Sequence, residues 1–199
     1  MSRRAKFLLL VLLVALGAGG YYLRALAKRV FLELAPHAEE TARAKLSQIA
    51  LQPNNGPVQM ATLYFPSLSE GKLATESRAI TWAPTEVDRV RQIVLALAEG
   101  SHQGYGRVFP ATTTARAVFI TGEGTVYLDL SDDLRSDFPT GIQTETLTVY
   151  AIVNSIATNV TSARRVQLLI QGQQVETLDG HVDLTSAFIP DLGRVKSNP

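Results

Sequence analysis

The run FLLLVLLVALGAGGYYL, Phe7–Leu23, carries no charged residue and limits what the rest of the chain can be. As a helix it would extend roughly 26 Å, close to a bilayer's hydrocarbon core of about 30 Å. Arg3, Arg4 and Lys6 precede it, and Arg24, Lys28 and Arg29 follow it. Tyr21 and Tyr22 stand where an interfacial aromatic pair would lie, and Arg24 and Lys28 can snorkel toward headgroups. Residues 1–30 therefore read as a signal-anchor forming one transmembrane helix, with the N-terminus inside. The competing reading is a cleaved signal peptide: Phe7–Leu16 is an apolar block, small residues fill 17–20, and Ala25-Leu26-Ala27 mimics a cleavage site. Both readings place the main body outside the cytoplasm, either on a single-pass membrane anchor or as a secreted or periplasmic protein.

The net charge of +1 hides an asymmetry. The six basic residues named above all fall in the leader, and the remaining 13 Lys and Arg face 18 Asp and Glu, leaving −5. An acidic body argues against nucleic acid as a partner, because phosphate neutralisation needs a cationic face. There is no cysteine, which removes disulfides, thiolate metal sites, a Cys nucleophile and a lipidated Cys.

Residues 31–57 read as stalk and linker: Glu33–Leu51 is charged and Ala-rich, and QPNNGP at 52–57 breaks any helix. The domain begins at Val58 and extends to about residue 192, with a frayed tail over 193–199. Within it, Val58–Phe65 and Ser77–Trp82 read as strands. Thr85 caps a helix with Asp88 as its capping-box partner, Val87, Val90, Ile93 and Leu97 form its apolar stripe, and Gly100 ends it. Arg116–Thr121 and Thr125–Leu130 read as a hairpin joined by Gly122-Glu123-Gly124. Val126, Leu128 and Leu130 lie on one face of the return strand, and Tyr127 and Asp129 on the other. A second helix runs from about Gln143 to Val160, with an apolar face wide enough to demand deep burial. Arg165–Gly172 reads as a strand. GHVDLTS at 180–186 echoes GTVYLDLS at 124–131 and suggests a duplicated hairpin end. The expected architecture is α+β: two long helices packed on a mostly antiparallel sheet.

The search for chemistry returns no catalytic, cofactor-binding or metal residue. The acidic stretch GTVYLDLSDDL has neither the alternating ligands nor the terminal Glu of a calcium loop; Ser131 and Asp132 suit turn capping, and a cation site on Asp129, Asp133 and Asp137 is the sharper alternative. The histidines are His37, His102 and His181, with no zinc-site spacing. No Gly-x-Ser-x-Gly elbow occurs, and Gly100, Gly104 and Gly106 do not make a dinucleotide fingerprint. Glu145 could belong to a glycan-cleaving carboxylate pair, but at a helix start it more simply favours the backbone dipole. Trp82 reads as a core-edge residue. Tyr105, Phe109, His102 and Tyr127 are the candidate exposed partner contacts.

The order of these pieces carries a resemblance. An opening strand ends in Tyr64-Phe65, and ESR follows at 76–78. A helix ends LALAEG at 95–100, and TTTARAVFITGEGTVYLDLS spans 112–131. ETLTVYAIVNSI at 145–156 and VQLLIQGQQVETLDGHVDLTSAF at 166–188 complete the series. Over Val58–Phe188 the chain resembles the GerMN domain, also called the sporulation and spore germination domain. The family's usual Gly-Pro after the first helix is Gly100-Ser101 here. The resemblance implies an extracytoplasmic domain of bacterial cell-envelope proteins, occurring in ring assemblies or beside cell-wall amidase modules, with a fold like ring-building motifs of secretion systems. It offers no catalytic residue. The expectation is a protein of the bacterial inner membrane, held through residues 7–23, whose domain binds or assembles with a protein partner or with itself. It serves cell-wall, division or sporulation processes without a cofactor; peptidoglycan binding or cell-wall modification is the alternative.

Overall fold

Strand alternation from Val58 is stronger than the sequence pattern suggests, because both strands of the first hairpin run further than expected. β1 spans Val58–Ser67 and β2 spans Lys72–Thr81, paired antiparallel without interruption from Val58↔Thr81 to Ser67↔Lys72. The computed structural model of the chain describes residues 56–136 and 141–196. The expected anchor at Phe7–Leu23, the expected stalk and Asp137 lie outside them. Contacts divide the chain into residues 1–52 and 53–199, and the second unit is the one described here. Among the described residues no helix is long and apolar enough to cross a membrane.

Helix α1, Glu86–Glu99, starts where expected: the Asp88 N–H donates to the Thr85 hydroxyl at 3.1 Å. The reciprocal bond differs from an ordinary capping box, because the Thr85 hydroxyl itself donates to the Asp88 carboxylate at 2.7 Å. Its buried face is Val90, Ile93, Val94 and Leu97, and the chain leaves through Gly100 at φ 88°. β3 (Ala115–Ile120) and β4 (Thr125–Leu130) form the expected hairpin, with a bulge between Ala115 and Ala117. Gly124, at φ 85°, closes the turn, and its carbonyl accepts the amides of Arg164 and Arg165. A β-carbon at Gly124 would overlap the Ser162 carbonyl, so both conformation and space require glycine there. A short turn of helix, α2 (Asp133–Ser136), follows, and then α3, Ile142–Asn159. β5, Arg165–Ile170, lies parallel to β4.

The strands form two sheets, a β1–β2 pair and a three-stranded β3–β4–β5 sheet with one parallel pairing. The expectation of one mostly antiparallel sheet is corrected in that respect. The parallel step arises because α3 is the crossover between β4 and β5. Two long helices do cover the strands: α1 packs on β3, while α3 touches both β1 and β5. Val126, Leu128 and Leu130 are fully buried together with Val166 and Leu168, so the expected inward face of β4 is the core face.

α3 also closes the outer edge of β1. Asn159 accepts the Thr62 N–H at 2.9 Å and donates to the Thr62 carbonyl at 2.7 Å, and the Ser155 hydroxyl accepts the Tyr64 N–H at 3.0 Å. Side chains thus satisfy backbone groups that an edge strand would otherwise leave bare. Two sequence expectations fail further on. Gly180–Ser186 is not a second hairpin end: Phe188 forms an isolated bridge to Val166, while Leu184 is buried and donates its N–H to the Glu176 carbonyl. The expected tail is docked through Lys196, whose N–H donates to the Leu73 carbonyl at 2.8 Å and whose ammonium lies 3.2 Å from Glu70.

Candidate functional site

Among the described residues three carboxylates are buried, Glu145, Glu76 and Asp129, and their partners define what they do. Glu145, in the first turn of α3, is fully buried. Its carboxylate accepts the backbone amides of Leu178 at 2.8 Å, Asp179 at 3.2 Å and His181 at 2.9 Å. The His181 Nδ1 lies 3.3 Å from the same carboxylate and 3.6 Å from Asp179. Asp179 in turn accepts the Gly141 N–H at 2.8 Å, which caps the start of α3. Helix start and loop therefore hold each other by reciprocal bonds. The role of Glu145 is structural, as expected, but the reason is larger than the helix dipole: it fastens a loop more than thirty residues away.

Glu76 on β2 does the same for the loop after α1. It accepts the Ser101 hydroxyl at 2.7 Å and the amides of His102 at 3.0 Å and Gln103 at 3.3 Å. Arg78 lies 2.5 Å from it and donates onward to the carbonyls of Ala96 at 3.0 Å and Gly100 at 2.9 Å, closing the C-terminus of α1. Burial by itself would raise the Glu76 pKa; the Ser101 hydroxyl, the Arg78 guanidinium and the His102 amide outweigh it and hold the carboxyl below its usual range. The Ser101 hydroxyl is one of the bonds that fix this loop.

The four candidate contacts separate. His102 is exposed, and its backbone belongs to the Glu76 clamp. Tyr105 is half-buried, with the Lys196 ammonium 5.0 Å from its ring centre. Phe109 is only 2% exposed, so its expectation as a surface contact is corrected: it is a core residue, drawn in with Val108, whose carbonyl accepts the Thr148 hydroxyl at 3.0 Å. Tyr127 is 39% exposed on the outer face of β4, opposite Phe119, which is 63% exposed. Phe119 escaped the sequence reading; its position two residues from Ala117 in a strand whose alternate residues turn inward was the available signal.

The acidic stretch after β4 is used structurally. Asp129 accepts the Gly172 N–H at 2.7 Å, Arg116 lies 3.7 Å from its other oxygen, and the Ser131 hydroxyl accepts the Thr114 N–H at 3.1 Å. Asp129 does lie on the outer face, yet it is buried by these neighbours. Among the described residues no group of three or more His, Asp or Glu is placed to hold a metal ion. A shallow cavity of about 220 Å³ lies against Gly71, Ile142, Gln143, Leu147 and Arg194. Arg194 is already engaged there, 3.0 Å from Asp191 and 4.4 Å from the centre of the Tyr150 ring.

The family model described as Germane: Sporulation and spore germination matches residues 62–176. Two solved Bacillus subtilis structures are similar in fold. The tandem GerMN domains of the sporulation protein GerM are 20% identical with a TM-score of 0.55, over 67% of this chain and 46% of that one. The first GerMN domain of GerM is 20% identical with a TM-score of 0.51, over 66% of this chain and 97% of that one. A protein described as a lipoprotein of Clostridium perfringens is 21% identical over 66% of this chain and 87% of its own, at a TM-score of 0.48. No curated protein matches the chain.

Proposed function

Since the chain belongs to the Germane family of sporulation and spore germination, we propose that it is a membrane-anchored, extracytoplasmic cell-envelope protein whose domain binds or assembles instead of catalysing a reaction. The observation that carries this reading is the disposition of its polar and apolar groups. Glu76, Glu145 and Asp129, the buried carboxylates among the described residues, each accept backbone amides that hold loops, which leaves none of them poised to move a proton to a substrate. The surface instead offers apolar side chains on strands, among them the aromatic pair Phe119 and Tyr127, the composition of a contact face. The uncharged run at Phe7–Leu23 supports the anchor, and the acidic body supports a partner other than nucleic acid.

The test uses the full-length chain in its own cells. Chemical crosslinking should shift it into larger species containing an envelope protein or a second copy. Recovery of the uncrosslinked chain alone, together with clearing of purified peptidoglycan by it in a zymogram, would overturn the reading in favour of a wall-modifying enzyme. Sedimentation of the chain with insoluble wall, without clearing, would instead identify peptidoglycan as the partner.

A further inference from the structure

Among the described residues no strand pairs with the outer edge of β3 at Val118 and Ile120, and this edge lies beside an aromatic face. The Thr121 N–H donates to the Thr125 carbonyl at 3.0 Å. By the alternation of an antiparallel ladder, Phe119 turns its backbone groups toward Tyr127 on β4, and Val118 and Ile120 turn theirs to the opposite side. Among the described residues no strand lies there, because β3 ends the β3–β4–β5 order. At the far side of the sheet, β5 is partly covered through the Val166↔Phe188 bridge. β1 has its side-chain cover from α3, and β2 has the Val195 bridge to Leu73. The β3 edge stands out against these.

We propose that β3 pairs antiparallel with β3 of a second copy, centred on Phe119. In that register Val118 faces the partner's Ile120, so both sets of outward backbone groups are satisfied. Phe119 meets the partner's Phe119 in the closer, non-hydrogen-bonded type of pair, flanked on each side by a Tyr127. Aromatic cross-strand pairs of this kind contribute beyond the ladder itself. Charge selects the orientation. The Arg116 end of the strand is balanced by Asp129, 3.7 Å away, whereas the turn end holds Glu123 together with Arg164 and Arg165, whose amides bond to Gly124, and is net positive. Antiparallel pairing keeps the two basic turn ends apart, whereas a parallel pairing would set them together. The contact is self-complementary, so it closes as a two-fold dimer and leaves no growing edge. The bulge at Ala115/Ala117 confines it to a short stretch.

This inference rests on the assembly reading and specifies the partner, and its test separates the two. The chain has no cysteine, so Phe119→Cys introduces a unique thiol. A non-hydrogen-bonded antiparallel pair holds its Cα atoms about 4.5 Å apart, inside the range for a disulfide. Full-length Phe119→Cys, oxidised mildly in the membrane fraction, should form a disulfide dimer at least about tenfold faster than Met60→Cys, which is exposed on β1. Two differently tagged copies should appear in the same band. Phe119→Lys, at an exposed position that leaves the core intact, should abolish the dimer seen by sedimentation of the detergent-solubilised chain. Equal crosslinking at both thiols, a Phe119→Cys link to a different protein, or an unchanged dimer in Phe119→Lys would each overturn the edge pairing. If the chain still enters larger crosslinked species in any of those cases, the assembly reading survives and this contact alone is lost.

Discussion

Replacement of Glu145 is the sharpest probe of how the domain holds its long C-terminal loop. The carboxylate is fully buried and accepts three backbone amides from residues 178–181. Glu145→Ala removes every acceptor at once. A buried amide left without its acceptor costs about 1–3 kcal/mol, and three lose theirs here. Water entering the space left by the side chain offsets part of that, so a loss of about 4 kcal/mol is expected. Glu145→Gln keeps one oxygen for Leu178 and Asp179 but turns an NH₂ toward the His181 amide, donor against donor. One amide is orphaned, at a loss of about 2 kcal/mol. The single tryptophan, Trp82, is 4% exposed and reports unfolding by its fluorescence. With a urea slope of about 2 kcal/mol/M, the midpoints should fall by about 2 M for Glu145→Ala and about 1 M for Glu145→Gln. Hydrogen exchange at Leu178, Asp179 and His181 should accelerate in both variants. Midpoints within about 0.3 M of the parent, or unchanged exchange at those amides, would refute the clamp.

Two other perturbations test the remaining interior groups. The Glu76 carboxyl titrates below its ordinary value of 4.5 in the fold, so its stabilisation is complete above that value and is lost as pH falls through the lowered one. The urea midpoint of the parent should therefore exceed that of Glu76→Gln at about pH 6, and the gap should close toward about pH 3; a gap that widens on acidification would reverse the assignment. Phe109→Ala should cost about 3–5 kcal/mol, the loss for a buried aromatic ring, whereas Tyr127→Ser on the open face should change stability by less than about 0.5 kcal/mol; similar urea midpoints for the two variants would return Phe109 to the surface.

The parts legible in the sequence were those whose signals are local. Thr85 and Asp88 mark the start of α1 and Gly100 its end, and Gly122-Glu123-Gly124 marks the β3–β4 turn; each involves residues within a few positions of one another. The first half of β2 was missed because Lys72–Glu76 reads as polar. Glu76 sits inside only because Ser101, His102 and Gln103 bring donors to it from twenty-five or more residues away. GHVDLTS misled for the converse reason: its alternation imitates a strand, but Leu184 is buried by a loop that Glu145 fastens from α3. Phe109 was misjudged because Gly104 and Gly106 give its surroundings the composition of an exposed loop, whereas the Thr148–Val108 bond ties that segment to the most buried helix. Of the two exposed aromatics on the β3–β4 face, Tyr127 was visible and Phe119 was not, since a lone aromatic in a short alternating strand looks like core.

The cover that α3 places over β1 has a consequence for how the chain acquires its structure. Thr62 and its partner Asn159 are 97 residues apart. A polypeptide emerging N-terminus first completes its opening hairpin long before the helix that shields it exists. Contacts of such separation slow folding and prolong the interval in which a sticky strand stands uncovered. The domain is thus committed to finishing late, once most of its length is available, and a holding factor that meets the chain during synthesis would act on the β1 segment above all others.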